Sequence, residues 1–173
     1  EKGAILKFDE NSKLIWKKNY YNKNEIKQNP RIYFGTDNKT LIAADSIANI
    51  YALDYVSGDL LWKNLKTASF NSEIKIFEDK IFLIDFENVL RCLSIKDGVE
   101  IWNFGIDKSF IKSQRKLSLI IQNGLVIFID TFGDINALDI ESGNLIWQSQ
   151  TIVEDIYESA FLLKNSRIVS DAE

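Results

Sequence analysis

Residues 52–62 read ALDYVSGDLLW, and residues 137–147 read ALDIESGNLIW. The two segments are eleven residues long and place Ala, Asp, Ser, Gly and Trp at matching positions. Two related segments, residues 6–16 and 92–102, also end on tryptophan but keep fewer of these positions. Self-similarity of this kind is typical of repeat architectures, in which each repeat is one supersecondary unit.

Two spacings define the length of the repeat. Tryptophans stand at positions 16, 62, 102 and 147, and are separated by 46, 40 and 45 residues. One four-stranded propeller blade takes roughly 40–50 residues. Asp45, Asp85 and Asp130 each lie 17 residues before the next tryptophan, whereas a tryptophan and the following aspartate are 23 to 29 residues apart. Constant spacing indicates a rigid unit, and variable spacing indicates its connections.

Within each unit, short β-branched and aliphatic runs alternate with turn residues. The second strand of each blade is predicted from the runs TLIAAD, KIFLID, LVIFID and RIVSD, and the third from IYALD, LRCLS and INALD. Gly58, Gly98 and Gly143 lie in the following turns, where a positive φ is least costly for glycine. Each fourth strand then ends on a tryptophan. Because no long segment has helical periodicity, we expect an all-β fold with little helix.

The pattern A-x-D-x-x-S-G-x-x-x-W resembles the tryptophan-docking repeat of PQQ-type β-propellers. The pattern occurs twice. The first copy contains Ala52, Asp54, Gly58 and Trp62, and the second contains Ala137, Asp139, Gly143 and Trp147. The copy ending at Trp102 keeps Gly98 but has Cys92 and Ser94 in place of Ala and Asp. The copy ending at Trp16 has Ser12 in place of Gly and a turn one residue shorter. The resemblance implies a propeller of four-stranded antiparallel blades.

The predicted organisation is a single propeller segment over residues 1–173. Complete blade repeats are expected at about 31–66, 70–105 and 116–150, with partial blades at about 1–19 and 158–173. We expect these three blades and two half-blades to form part of a seven- or eight-bladed ring, or two chains to share one ring, rather than a four-bladed disc. Exposed half-blades present unpaired strand edges and predict self-association. Methionine is absent, so we expect a processed form or part of a longer protein.

The repeated residues have a structural interpretation and a ligand-binding one. The tryptophans Trp16, Trp62, Trp102 and Trp147 are expected to pack on the neighbouring blade and to donate the indole N–H to a backbone carbonyl there. The alternative is an aromatic ligand cage, which their fixed offset to a turn disfavours. Asp45, Asp85 and Asp130 are expected to cap the turns that follow them, and a ring of carboxylates around a cation is the alternative.

Composition argues against several classes of function. The net charge of −4 and the scattered lysines disfavour a nucleic-acid partner, and no apolar run approaches the ~18 residues of a membrane-spanning helix. The chain has no histidine, which removes the commonest general base and metal ligand. In quinone-dependent propeller enzymes, adjacent cysteines form a disulfide near the cofactor, but Cys92 is the single cysteine here. We therefore predict no cofactor and no catalysis.

Among non-catalytic propellers, the chain resembles the BamB-like lipoproteins of outer-membrane protein assembly. The resemblance implies a scaffold in the periplasm, anchored by lipid in the full-length protein, that binds the barrel assembly subunit. Variable connections on a rigid scaffold are where recognition usually lies. Candidate contact residues in the long connections are Tyr20, Tyr21, Arg31, Phe110 and Arg115. The alternative is that these residues cover blade ends. A fragment of a PQQ-dependent dehydrogenase and a sensor or polysaccharide-binding propeller are the alternative functions.

Overall fold

The computed structural model describes residues 3–105, 116–130, 133–149 and 168–169. Fourteen strands and one short helix lie within these ranges. In chain order they are β1 (Ala4–Phe8), β2 (Leu14–Asn19), α1 (Lys23–Lys27), β3 (Ile32–Thr36), β4 (Thr40–Asp45), β5 (Asn49–Asp54), β6 (Leu60–Leu65), β7 (Lys75–Phe77), β8 (Lys80–Ile84), β9 (Val89–Ser94), β10 (Glu100–Gly105), β11 (Leu119–Gln122), β12 (Leu125–Ile129), β13 (Ile135–Asp139) and β14 (Leu145–Ser149).

The strands form one two-stranded and three four-stranded sheets, all antiparallel. Within each sheet, strands that are consecutive in the chain are paired. The sheets consist of β1 and β2, β3 to β6, β7 to β10, and β11 to β14. We call these sheets blades 1 to 4. The fold is an all-β propeller of four-stranded blades, as the repeat predicted. The predicted half-blade at residues 158–173 lies outside the described residues apart from Ile168 and Val169.

Blade 1 consists of the third and fourth strands of the repeat. Lys7 in β1 pairs with Trp16 in β2, as Ala52 in β5 pairs with Trp62 in β6. In both pairs of strands the register shifts one step toward the turn, at Lys7/Phe8 and at Ala52/Leu53. Lys7 therefore occupies the position of Ala52, and β1 that of β5.

The hydrophobic core lies between successive blades, because side chains alternate between the two faces of each strand. Ala43, Tyr51 and Leu53 of blade 2 pack with Ile5 and Trp16 of blade 1. The intervening residues of the same strands pack on blade 3, and blade 3 packs on blade 4 in the same way. These two clusters contain Ile42, Ala44, Ile50, Ala52, Phe70, Ile74, Ile81, Leu83 and Leu93, and then Phe82, Ile84, Leu90, Cys92, Leu117, Leu119, Val126, Phe128, Leu138 and Ile140.

The first strands of neighbouring blades approach closely. A Cβ atom at Gly35 in β3 would lie 2.8 Å from both Cγ2 and the carbonyl oxygen of Ile74, next to β7. Ser72 also forms an isolated parallel bridge with Leu117. The absence of a side chain at Gly35 thus permits the close approach of blades 2 and 3. No helix in the described ranges is long and apolar enough to cross a membrane.

Candidate protein-binding face

The connection between blades 1 and 2 lies against the turn that follows β4. The Tyr21 hydroxyl donates to Oδ2 of Asp45 over 2.6 Å. The backbone N–H of Arg31 donates to the Ser46 hydroxyl, and the N–H of Ser46 donates to the Arg31 carbonyl, both over 3.0 Å. We call residues 20–31, together with the turns at 45–49 and 85–89, the connection face.

A short helix within this connection was not predicted from the sequence. In α1, the Asn22 side chain accepts from the backbone N–H groups of Asn24 and Glu25, and Glu25 accepts from the Asn22 N–H over 2.7 Å. This capping box satisfies the free N–H groups of the first turn. Lys63 of β6 lies 3.0 Å from Glu25 and so ties the helix to blade 2. Asn followed three residues later by Glu was the signal that could have predicted it.

Tyr20 and Tyr21, two of the candidate contact residues, pack against a tyrosine of blade 2. Their rings lie 6.3 and 5.7 Å from that of Tyr51, and both are partly buried. The Tyr20 hydroxyl donates to the Gly58 carbonyl. Burial and the neighbouring Asp45 raise the pKa of Tyr21 well above its usual range. This placement favours the alternative interpretation, in which the two tyrosines cover the end of a blade.

The exposed side chains of the connection are polar and include several cations. Arg31 is exposed, as are Lys23 and Lys27 on α1. Asn24 and Gln28 lie beside them and are also exposed. Phe110 and Arg115, the other two candidate contact residues, lie outside the described residues. Residues 20–31 of the connection face therefore offer a partner positive charge, and the turn at 85–89 adds one exposed carboxylate, that of Glu87.

The repeated aspartates are buried, and one oxygen of each accepts from the turn that follows. Oδ1 of Asp45 accepts from the N–H of Ile47 and Asn49, Oδ1 of Asp85 from Glu87 and Val89, and Oδ1 of Asp130 from Asp134. The second oxygen has a different donor in each blade: Tyr21 and Asn49 for Asp45, Arg91 for Asp85, and Asn136 for Asp130.

These partners bear on the alternative of a carboxylate ring around a cation. Arg91 lies 2.7 Å from Asp85 and 2.6 Å from Glu100, so the buried charge in blade 3 is paired within the blade. The described residues contain no group of three His, Cys, Asp or Glu side chains that could hold a metal ion. The geometry around the aspartates is that of capped turns.

The tryptophan rings lie over the turn glycines of the next blade. A Cβ atom would lie 2.7 Å from the Trp16 ring if placed at Gly58, 2.6 Å from the Trp62 ring at Gly98, and 2.6 Å from the Trp102 ring at Gly143. These glycines have φ of +74°, +68° and +71°, which L side chains rarely adopt. Both the turn conformation and the ring above it therefore require glycine.

Two indole groups also donate hydrogen bonds to the next blade. Nε1 of Trp62 lies 2.9 Å from the Ile95 carbonyl, and Nε1 of Trp102 lies 3.2 Å from the Ile140 carbonyl. Within the described part of the chain, the buried Nε1 of Trp16 has no acceptor. The fourth ring, Trp147, is exposed, and the residues that follow Ser149 are outside the described ranges apart from Ile168 and Val169.

Comparison with known proteins identifies the family. A family model described as outer membrane protein assembly factor BamB matches residues 1–162. The chain belongs to the BamB family. BamB of Escherichia coli (strain K12) is 28% identical over 102 residues, which are 59% of this chain and 24% of that protein. BamB of Salmonella typhimurium is 26% identical over the same length. The chain therefore spans about a quarter of the curated BamB relatives that it matches.

Solved structures share the fold. BamB from Moraxella catarrhalis superposes with a TM-score of 0.68 at 20% identity, over 86% of this chain and 42% of that one. A quinohemoprotein alcohol dehydrogenase from Comamonas testosteroni superposes with a TM-score of 0.57 at 17% identity, over 68% of this chain and 20% of that one. Both similarities concern the arrangement of blades.

The environment of the cysteine bears on its chemistry. The chain has one cysteine and so no adjacent pair. Cys92 is buried between blades 3 and 4, where burial raises the pKa of its thiol to about 12. A thiol in this environment is a poor nucleophile and metal ligand, since both roles require the thiolate. Cys92 is thus a packing residue that fills the position of Ala52 and Ala137.

Proposed function

We propose that this chain is a non-catalytic, protein-binding propeller that assists the assembly of outer-membrane β-barrel proteins. The match of the BamB family model to residues 1–162 carries this proposal. The E. coli relative is described by its name as an outer membrane protein assembly factor. The docked blades support a scaffold role, because a rigid framework holds variable connections in fixed positions.

The proposed partner is the barrel assembly subunit, and the proposed location is the periplasm, with a lipid anchor in the full-length protein. We place the contact on the connection face. Lys23 and Lys27 are exposed on α1, and Arg31 is exposed a few residues further on. The capping box and the contact between Glu25 and Lys63 hold this helix on blade 2. A partner surface rich in Asp and Glu would complement the three cations.

Charge reversal on this face tests the proposal. The triple variant Lys23→Glu, Lys27→Glu, Arg31→Glu should weaken binding to the purified periplasmic domains of the barrel assembly subunit at least tenfold. The loss should shrink as salt is raised, because exposed charges are screened. Surface plasmon resonance at several salt concentrations measures both effects.

A matched control separates a local contact from net charge. Lys13, Lys39 and Lys96 are also exposed, but they lie in turns at other edges of blades 1 to 3. Their reversal to glutamate makes the same change in net charge and should leave binding unaffected. If wild type does not bind, or both triple variants bind as wild type does, the proposed contact is wrong.

The non-catalytic assignment has its own test. Titration with calcium and pyrroloquinoline quinone should leave the melting temperature unchanged and give no dye-linked dehydrogenase activity with alcohols. A rise in melting temperature that saturates with the quinone would overturn the assignment.

A further inference from the structure

In blades 3 and 4, the second oxygen of the repeated aspartate has a donor within the same blade. Arg91 donates to Asp85, and Asn136 donates to Asp130. Both donors lie on the third strand of their blade, six residues after the aspartate. The blade itself thus supplies this donor.

Blade 2 differs at the equivalent position. Six residues after Asp45 the third strand carries Tyr51, whose hydroxyl is buried and has no hydrogen-bond partner among the described residues. The second oxygen of Asp45 accepts instead from the Tyr21 hydroxyl over 2.6 Å and from Asn49 over 3.1 Å. Because Tyr21 belongs to the connection from blade 1, this change of donor ties the connection to the end of β4.

Tyr21 is held by contacts on several sides. Its ring meets that of Tyr51 edge to face, with the centroids 5.7 Å apart. Its backbone N–H donates to Oδ1 of Asn19 over 3.0 Å. A Cβ atom placed at Gly3 would lie 2.6 Å from the Tyr21 ring, so the ring also packs closely on the chain before β1. The hydrogen bond to Asp45 therefore comes from a side chain with little freedom to move.

The helix α1 follows Tyr21 directly, since the next residue in the chain is its N-cap. A second anchor is Glu25, which lies 3.0 Å from Lys63 of β6. The helix spans only Lys23–Lys27, and none of its residues is buried. Isolated helices of fewer than about 12 residues are marginal in water. The position of α1 therefore depends on these two anchors rather than on a buried face of its own.

We propose that Tyr21 is a positioning residue, whose hydrogen bond to Asp45 orders α1 before a partner arrives and so holds Lys23 and Lys27 in place; the effect on binding rests on the proposed function of this face. Cations that are already ordered lose less conformational entropy when they bind. Tyr21 acts through the helix and does not contact the partner, in agreement with its partial burial.

Amide hydrogen exchange of the unbound 173-residue chain measures the order of α1. The N–H groups of Ile26, Gln28 and Asn29 donate to carbonyls within this short helical segment. Tyr21→Phe keeps the ring but removes the hydroxyl, so these three amides should exchange about three- to tenfold faster. Tyr20→Phe is the matched control, since it removes the neighbouring hydroxyl, which donates to a turn of blade 2 instead. It should leave the three amides unchanged.

Binding to the purified periplasmic domains of the barrel assembly subunit measures the consequence for the partner. Tyr21→Phe should weaken binding by about three- to tenfold, whereas Tyr20→Phe should leave it unchanged. If Tyr21 acts through the cations of the helix, Tyr21→Phe should cause no further loss in a chain that already carries Lys23→Ala and Lys27→Ala. An equal loss in both backgrounds would mean that Tyr21 contacts the partner directly, and would overturn the proposal.

Exchange and binding fail independently. Unchanged exchange of the α1 amides in Tyr21→Phe would overturn the proposal, and so would equal acceleration at the Gly98 amide of blade 3, which would show general destabilisation. Faster exchange of α1 without a loss of affinity would overturn the positioning role. A wild type that does not bind would contradict the proposed function, and the exchange rates would still decide whether Tyr21 orders the helix.

Discussion

The junction between blades 1 and 2 and the junction between blades 2 and 3 share two contacts and show an exchange of donors at a third. In both, a tryptophan ring covers the turn glycine of the next blade. In both, the residue four positions after the tryptophan donates to that glycine's carbonyl: Tyr20 to Gly58, and Lys66 to Gly98 over 2.9 Å.

The exchange concerns the indole N–H. Trp62 donates to Ile95, but the corresponding carbonyl at the first junction, that of Tyr55, accepts instead from Nζ of Lys7 over 2.8 Å. Lys7 stands where the other copies have Ala52, Cys92 and Ala137, and its Nζ also lies 3.5 Å from the Tyr55 ring centroid. The ring-on-glycine contact is thus common to both junctions, whereas the hydrogen bond can be supplied by another residue.

The largest expected effect follows from a side chain placed under the ring. Gly143→Ala should destabilise the protein by about 2–4 kcal/mol, because it adds left-handed backbone strain and overpacking against Trp102, which supplies the three atoms nearest to an added Cβ. Gly124→Ala is the control, since Gly124 has φ of +74° but a Cβ atom added there would meet no other atom within 4 Å. Gly124→Ala should be destabilised only by the backbone strain, by about 1–2 kcal/mol. Urea unfolding measures both, and equal losses would contradict the docking role of the ring.

In blade 3, Cys92 occupies the position that Lys7 occupies in blade 1. The pH dependence of stability tests the burial of its thiol. Its thiol has a pKa of about 12 in the folded protein and about 8.5 when unfolded. The folded state therefore binds the proton more tightly than the unfolded state. The free energy of unfolding is highest below pH ~8.5 and falls as the pH rises above it. By pH 10 the loss should be about 2 kcal/mol relative to Cys92→Ala. Urea unfolding of both proteins between pH 8 and 10 measures it. Parallel pH profiles would show that the thiol is not desolvated.

Replacement of Trp16 or Trp62 by phenylalanine removes the indole N–H at one junction at a time. Trp62→Phe leaves the Ile95 carbonyl without its donor, whereas Trp16→Phe removes an N–H that has no acceptor among the described residues. Trp62→Phe should therefore be more destabilising by about 1–2 kcal/mol. Thermal or urea unfolding of the two variants gives this difference. A larger loss at Trp16 would mean that its indole N–H is hydrogen-bonded.

The smallest expected effect concerns the turn of blade 1. Ser12 has φ of +63° and occupies the turn position that glycine takes in blades 2 to 4. Ser12→Gly should stabilise the protein by about 0.5–1 kcal/mol, because relief of strain exceeds the added entropy of the unfolded chain. Ser57→Gly, at a turn position without positive φ, should instead lower the melting temperature. If both variants lower it by the same amount, Ser12 is not strained.

The strands could be predicted from the sequence because the information is local. Runs such as residues 40–45 and 125–129 are β-branched or aliphatic, are bounded by turn residues, and recur at fixed offsets. The structure confirms strands at Thr40–Asp45 and Leu125–Ile129.

The contacts that join blades could not be predicted in the same way. Lys7 reaches Tyr55, which is 48 residues away in the chain, and Tyr21 reaches Asp45 across the turn. Spacing within one repeat does not show which side chain of another repeat lies opposite. Position in a long connection therefore predicts Tyr20 and Tyr21 as contact residues for a partner, although the structure packs them on Tyr51.

Blades 2, 3 and 4 are each positioned by the tryptophan ring of the preceding blade, which lies on their turn glycine. Proton–proton nuclear Overhauser effects test it directly in protein labelled on tryptophan and glycine. We predict cross-peaks from the rings of Trp16, Trp62 and Trp102 to the α-protons of Gly58, Gly98 and Gly143, respectively. Rings that show cross-peaks only to residues of their own blade would contradict this mode of docking between blades.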